Sequence, residues 1–310
     1  MEKDPIVQQA IAAIDSGDTI ILEALIAENP WLLSERHANG EKGYFKDPYL
    51  LWYVAGNPVR QPKLADNILD VAALIIKALP ADSLKEQAGY TLGLVSSGRI
   101  PRESGKQLAL IDLLVAAGAD PDGGFGAAAV HQEVEAVEHL IKIGAKINML
   151  AAISTGRTAV AKEFIASANA EELQQGLALA ALYGNTELLE ALIKAGADVK
   201  AFCPPGFHQH STPLHQAVAA RHLAAVKTLV NAGADLYIKD PIYLGTPIGW
   251  ALHLEQTAET PEQAEQYKAI STWLREYMSR EIAQDLFKAG LISAGQVEQA
   301  VPVIAIKLGK

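Results

Sequence analysis

The residues best suited to chemistry sit close together. Cys203-Pro204-Pro205-Gly206-Phe207-His208-Gln209-His210 is followed by His215. In an extended hairpin, His208 and His210 place both rings on one side, and imidazole and thiolate are zinc ligands. Cys203, His208 and His210 therefore form a candidate metal site. A Cys–His nucleophile pair is a second reading, but Cys203 has no basic partner nearby in sequence; a reactive thiol needs one. The plainer alternative is a rigid, aromatic, exposed loop with one structural histidine, because two flexible histidines do not fix a tetrahedron. Elsewhere the sequence lacks a phosphate-binding loop, a dinucleotide-binding turn, a Gly-x-Ser-x-Gly elbow, a kinase motif set and His-Glu-x-x-His. Each of these is a recognisable catalytic signature. No enzyme and no cofactor is expected.

The elements that position this segment repeat along the chain. Gly-Ala-Asp ends an apolar run at Gly118–Asp120, Gly196–Asp198 and Gly233–Asp235. Gly144 begins a near copy, and Ala168 takes the glycine place in a degraded one. Successive anchors lie 26, 24, 28 and 37 residues apart. Before each anchor, apolar residues recur at spacings of three and four, as in Leu189, Leu192 and Ile193, which places them on one helix face. Leu22-Leu25-Ile26, Ala72-Ile75-Ile76 and Ile270-Trp273-Leu274 extend the pattern to both ends, making eight copies. Ahead of each stands a second, small-residue helix: residues 10–14, 50–56, 91–98, 126–131, 150–154, 177–184, 214–220 and 248–252. Alanine favours helix and lets neighbouring helices approach.

Ser211-Thr212-Pro213-Leu214-His215-Gln216-Ala217, then His222 to Val226, then Gly233-Ala234-Asp235, resembles the ankyrin repeat family. Gly245-Thr246-Pro247-Ile248 opens the next unit in the same way. The resemblance spans roughly residues 5–277. It implies an all-α solenoid of about eight helix-turn-helix units with shortened or irregular fingers, over 1–277, and a C-terminal helical cap over 278–310. It also implies that Thr212 caps the first helix and that His215 bonds across to the neighbouring unit. Ankyrin units are ~33 residues long, so the short steps predict short fingers. The 37-residue step predicts an extended finger at Ala201 to His210. Arg221 occupies the usual inter-helix glycine place, so that turn is expected to be strained. Ser279 to Ala289 reads as a helix, and Val301 to Ile306 as a short strand or an extended cap.

Function follows as an expectation from the resemblance. Ankyrin stacks bind protein or peptide partners on finger tips and on the last residues of the first helices. The candidate partner-binding residues are His131, Tyr183, Phe207, His208, His210 and Tyr243, with Tyr237 near the same tips. Local packing on Pro204 and Pro205 is the competing reading of Phe207. Trp52 and Trp250 are read as core, and Arg60, Arg99 and Arg102 as solvated loop cations. The alternative function is a metal- or small-ligand-binding protein, or a small hydrolase, using Cys203, His208 and His210.

Composition sets the outer limits. The 310 residues are 50% hydrophobic and 20% charged, with a net charge of −10. An acidic chain argues against phosphate-driven nucleic-acid binding. No apolar run reaches the ~20 residues of a membrane span. One cysteine excludes an internal disulfide. A soluble, cytoplasmic monomer without nucleic-acid or membrane partners is the expectation.

Overall fold

Helix starts in this chain are written in side-chain oxygens. Asp18, Asn148, Asn185, Thr212, Thr246 and Thr260 each precede a helix and accept a backbone N–H from its first turn. Such a cap satisfies a donor the helix cannot, and is worth about 1 kcal/mol. The result, in the computed structural model of residues 4–40 and 42–308, is helical throughout; no strand occurs among the described residues.

The chain divides into two units, residues 1–157 and 158–310. The first contains α1 (Pro5–Ser16), α2 (Thr19–Glu28), α3 (Trp31–Ser34), α4 (Ile68–Ala78), α5 (Ala81–Ser96) and α6 (Arg99–Glu103). It continues with α7 (Gln107–Ala116), α8 (Phe125–Val130), α9 (Val134–Lys142) and α10 (Met149–Ser154), with 3-10 turns at Gly43–Phe45, Leu50–Ala55 and Pro121–Gly124. Two rows result. One runs α1, Leu50–Ala55, α5, α8, α10; the other runs α2, α4, α7, α9. Leu22, Ile68, Ile75, Leu92, Leu110, Ile111, Phe125 and Leu140 are sealed between them.

The second unit contains α11 (Thr158–Ile165), α12 (Ala170–Leu182), α13 (Thr186–Lys194), α14 (Pro213–Ala219), α15 (Leu223–Asn231), α16 (Pro247–Gln256), α17 (Pro261–Lys288) and α18 (Val297–Leu308). Here α12, α14 and α16 pack in one row, and α11, α13, α15 and α17 in the other. Leu177, Leu188, Leu192, Leu214, Val226, Leu229 and Leu274 fill the seam.

Several expectations are corrected. Residues 50–55, read as an α-helix, form a 3-10 turn bounded by Tyr49 in extended conformation and by Gly56 at φ +69°. Val301 to Ile306 lies within α18, not a strand; α18 packs on α17, and Val301 is buried. The helix at 279–288 is real, but it is the continuation of α17, which runs unbroken for 28 residues from Pro261. Two of the three arginines read as solvated loop cations are paired, and Arg99 and Arg102 lie on the short helix α6 and not in a loop. Arg60, in the segment before α4, pairs with Asp15 at 3.0 Å, and Arg102 pairs with Glu133 at 2.5 Å. Arg99 alone stays largely exposed, 3.9 Å from Glu103.

The inter-helix turns require positive φ. Gly17, Gly156 and Gly184 supply it at +70° to +76°. Arg221 adopts +65° at the same kind of turn, as the sequence predicts, and its guanidinium donates to the Tyr267 hydroxyl at 3.1 Å.

Candidate finger-loop interface

Between α13 and α14 the chain makes a closed loop. The Cys203 N–H donates to the Ser211 carbonyl at 2.7 Å, Phe207 N–H to the Pro204 carbonyl, and Ser211 N–H to the His208 carbonyl. The Ser211 hydroxyl also donates to the His208 carbonyl at 2.8 Å, and accepts from Gln216 Nε2 at 2.5 Å. His208 sits at φ +56°, inside this turn. The prolines and these bonds make the loop rigid without any strand pairing.

The loop sorts its side chains. Cys203 and Phe207 face inward, 3% and 8% exposed. His208 and His210 are half-buried at the surface, with ring centroids 6.2 Å apart. Phe207 is thus buried within the loop, in keeping with the packing reading of this residue. Its apolar ring gains more from burial under the turn than from water. Burial pushes the Cys203 thiol up to about 12, against the hydrogen bond from Ser211. A thiol that stays protonated is neither a nucleophile nor a ready metal ligand. Among the described residues, no group of three or more His, Cys, Asp or Glu is arranged to hold a metal ion. The Cys203/His208/His210 metal reading has no ligand set there.

His215 is placed as the family pattern implies. Thr212 N–H donates to His215 Nδ1 at 3.3 Å, and Nε2 lies 3.2 Å from the Gly245 carbonyl. Nε2 therefore carries the proton and Nδ1 accepts. The ring ties the α14 start to the loop before α16. Burial pushes its pKa below the usual histidine range, partly opposed by the Gly245 hydrogen bond.

That next loop is organised by one residue the sequence reading passed over. Asp240 is fully buried. Its Oδ1 accepts from Ile242 N–H at 3.0 Å and Tyr243 N–H at 2.6 Å. Its Oδ2 accepts from Gly245 N–H at 2.8 Å and Trp250 Nε1–H at 2.9 Å. Burial alone would raise this carboxyl; the bonds from Tyr243, Trp250, Gly245 and Ile242 outweigh it and hold the pKa at about 2. The Asp-Pro start and the following glycine are a turn signal that would have found it. Pinned in this way, the loop holds Ile242, Tyr243 and Leu244 outward, 60%, 74% and 68% exposed.

The two loops meet. The His210 ring lies 6.3 Å from Tyr243 and 6.0 Å from Trp250, and Trp250 lies 4.8 Å from His215. Trp250, read as core, is only half-buried and joins this aromatic row. Tyr237 is exposed but lies near Glu281 and Asp285 of α17, apart from that row. Tyr183 is half-buried at the end of α12, and His131 is exposed at the end of α8, in the first unit.

No curated protein matches the chain. Residues 148–240 match the family described as ankyrin repeats, in three copies. That stretch includes the capped Thr212–His215 helix start and the Gly-Ala-Asp turns after α13 and α15. Residues 148–240 of this chain are ankyrin repeats.

Proposed function

We propose that the chain is a non-catalytic protein-interaction module whose contact surface is the pair of loops 203–211 and 240–245. The observation that carries this reading is the Asp240-pinned loop. It keeps three large apolar side chains in water beside the His208–His210 turn, in a fixed arrangement. Scattered exposed apolar residues need no explanation, but a contiguous, pre-organised group suits a partner. Tyrosine at its centre fits the composition of binding hot spots. Ankyrin repeats favour a protein or peptide partner. No described helix is long and apolar enough to cross a membrane.

The helix pairs outside residues 148–240 read as further, less regular units of the same repeat. Their support is the row packing within each unit and the shared inter-helix turn. On this reading α18 caps the last pair by packing on α17. Tyr183 belongs to the same surface as a peripheral contact, and His131 to a separate one on the first unit.

The test is capture from native lysate with crosslinking, using the full chain and an Ile242→Ser, Tyr243→Ala, His210→Ala variant. Partner crosslinks on 203–250 that vanish in the variant, at unchanged melting temperature, support the proposal. Equal capture by both proteins overturns the assignment of the surface.

A further inference from the structure

The first unit holds a cavity of about 1020 Å³ that no repeat pattern calls for. Ligand pockets commonly measure about 300–1,000 Å³, so this one is large enough for a small molecule or the end of a peptide. Its walls are aromatic: Tyr44, Tyr49, Trp52 and Tyr90. Tyr90 stacks on Trp52, with centroids 3.9 Å apart and 19° between planes, and its hydroxyl donates to the Tyr44 carbonyl. Trp52 is 4% exposed, whereas Tyr90 and Tyr44 are 40% and 70% exposed and offer ring surface.

One cation is fixed against those rings. The Arg36 guanidinium lies 5.1 Å from the Trp52 ring centroid and 5.6 Å from that of Tyr49. Its Nε donates to the Asp47 carbonyl at 2.7 Å and Nη2 to the Lys46 carbonyl at 3.1 Å. The loop that supplies these carbonyls is closed by His37 N–H to the Pro48 carbonyl and by Asn39 Nδ2 to the Phe45 carbonyl. Arg36 has five N–H donors. Two are spent, and no ion pair joins it to a carboxylate among the described residues. A guanidinium so placed is pre-organised for a carboxylate.

The charge of the lining limits the ligand. Lys46 and Lys85 join Arg36, while Asp47, Glu86 and Asp120 oppose them. The cavity is formally balanced, so a polyanion such as a nucleotide phosphate would meet three carboxylates. A single negative charge seated on Arg36 avoids that repulsion.

We propose that this cavity binds an aromatic monocarboxylate, with its ring against Tyr44 and Tyr90 and its carboxylate on Arg36. The shared chemistry has two sources: a free aryl acid, or the C-terminal residue of a peptide ending in an aromatic side chain. The site lies wholly in the first unit and does not depend on the finger-loop surface.

The test uses the full chain, ligand-observed NMR and titration calorimetry. The probes are naphthoate against naphthamide, and N-acetylphenylalanine against its amide. The acids are expected to bind about tenfold more tightly than the amides, the size of one charge-assisted hydrogen-bonded contact. Arg36→Gln should abolish that preference, bringing acid and amide to equal affinity even where the loosened 37–49 loop weakens both, and Tyr44→Ser should weaken acid and amide alike while keeping the preference. Tighter binding of N-acetylphenylalanine than of naphthoate assigns the site to peptide ends, and the reverse to free acids. Equal affinity for acid and amide, or no binding of either acid at millimolar concentration, overturns the proposal. Should Arg36→Gln fail to fold, the acid–amide comparison on the wild-type chain decides alone.

Discussion

Replacing Asp240 with asparagine changes one oxygen to an amide nitrogen and tests what holds the exposed loop. The wild-type carboxylate accepts four hydrogen bonds, two at each oxygen. The asparagine oxygen can keep one pair. Its NH₂ group then faces the other two donors, which sit in part-buried positions around the carboxyl. Leaving buried donors unsatisfied costs about 1–3 kcal/mol each, and the lost bonds were charge-assisted. Partial relaxation brings the expected loss to about 3 kcal/mol. The lowered pKa, about 2 against the ordinary 3.8, points in the same direction: the folded loop favours the carboxylate. In a unit of this size about 3 kcal/mol lowers the melting temperature by about 6–12 °C. The carboxylate's advantage is complete above pH 3.8 and disappears as pH falls toward and below 2. The stability gap between wild type and Asp240→Asn should therefore be flat from pH 7 to 4 and narrow below. Urea titrations across that range measure the gap, and amide exchange at Ile242, Tyr243 and Gly245 reports the loop. A variant within about 0.5 kcal/mol of wild type at pH 7 would refute the account of Asp240 as the pin.

Four further outcomes follow from the same geometry. Gly184→Ala should destabilise by more than about 1 kcal/mol, because φ is +70° and the new Cβ would lie 2.5 Å from the His222 ring; urea unfolding reads it. Leu244→Gly should stabilise by about 0.5–1 kcal/mol, since Leu244 is exposed and held at φ +56°. Wild-type stability should begin to fall below about pH 6.5: burial lowers the folded pKa of His37, His215 and His222, so the unfolded chain takes up protons first. Cys203 should resist iodoacetamide at pH 8 in the native protein and react once urea unfolds it, as its buried thiol requires; fast native alkylation would contradict that burial.

The sequence made the regular parts legible because they are local. Spacings of three and four gave α7, α9, α13 and α15, and the Thr212–Pro213–His215 pattern gave a helix start whose hydrogen bonds are as expected. Arg221 in a glycine place gave a strained turn, found at φ +65°. What was hidden depends on partners far along the chain or on closure in space. Arg60 reads as a free loop charge until Asp15, 45 residues earlier, lies 3.0 Å away. Phe207 in a Pro-Pro-Gly stretch reads either as a tip or as packing on the prolines, and only the closed loop with its Cys203–Ser211 bond decides for burial. The aromatic cavity was signalled by composition: six aromatic residues fall between 31 and 53 in a chain that is only 6% aromatic. Composition could not say that Tyr90, from α5, would stack among them.

The loops, not the regular helix pairs, carry the candidate chemistry, and one or two side chains fix each of them. Arg36 ties the 37–49 loop through two carbonyls, Ser211 and Gln216 close the finger, and Asp240 gathers four donors around the next loop. A loop fixed before binding loses less conformational entropy when a partner arrives, about 0.5–1.5 kcal/mol for each side chain already ordered. Regular helix pairs supply the support, since their turns repeat with the same positive φ and the same sealed seam. It follows that stability and recognition should separate by position. Core substitutions in the seam should change melting without changing which partner is bound. Substitutions of Arg36 or Asp240 should loosen a single loop and alter recognition at that loop alone. A variant of Asp240 that altered aryl-acid binding in the first unit would break this separation, because no hydrogen bond of Asp240 leaves the 240–250 segment.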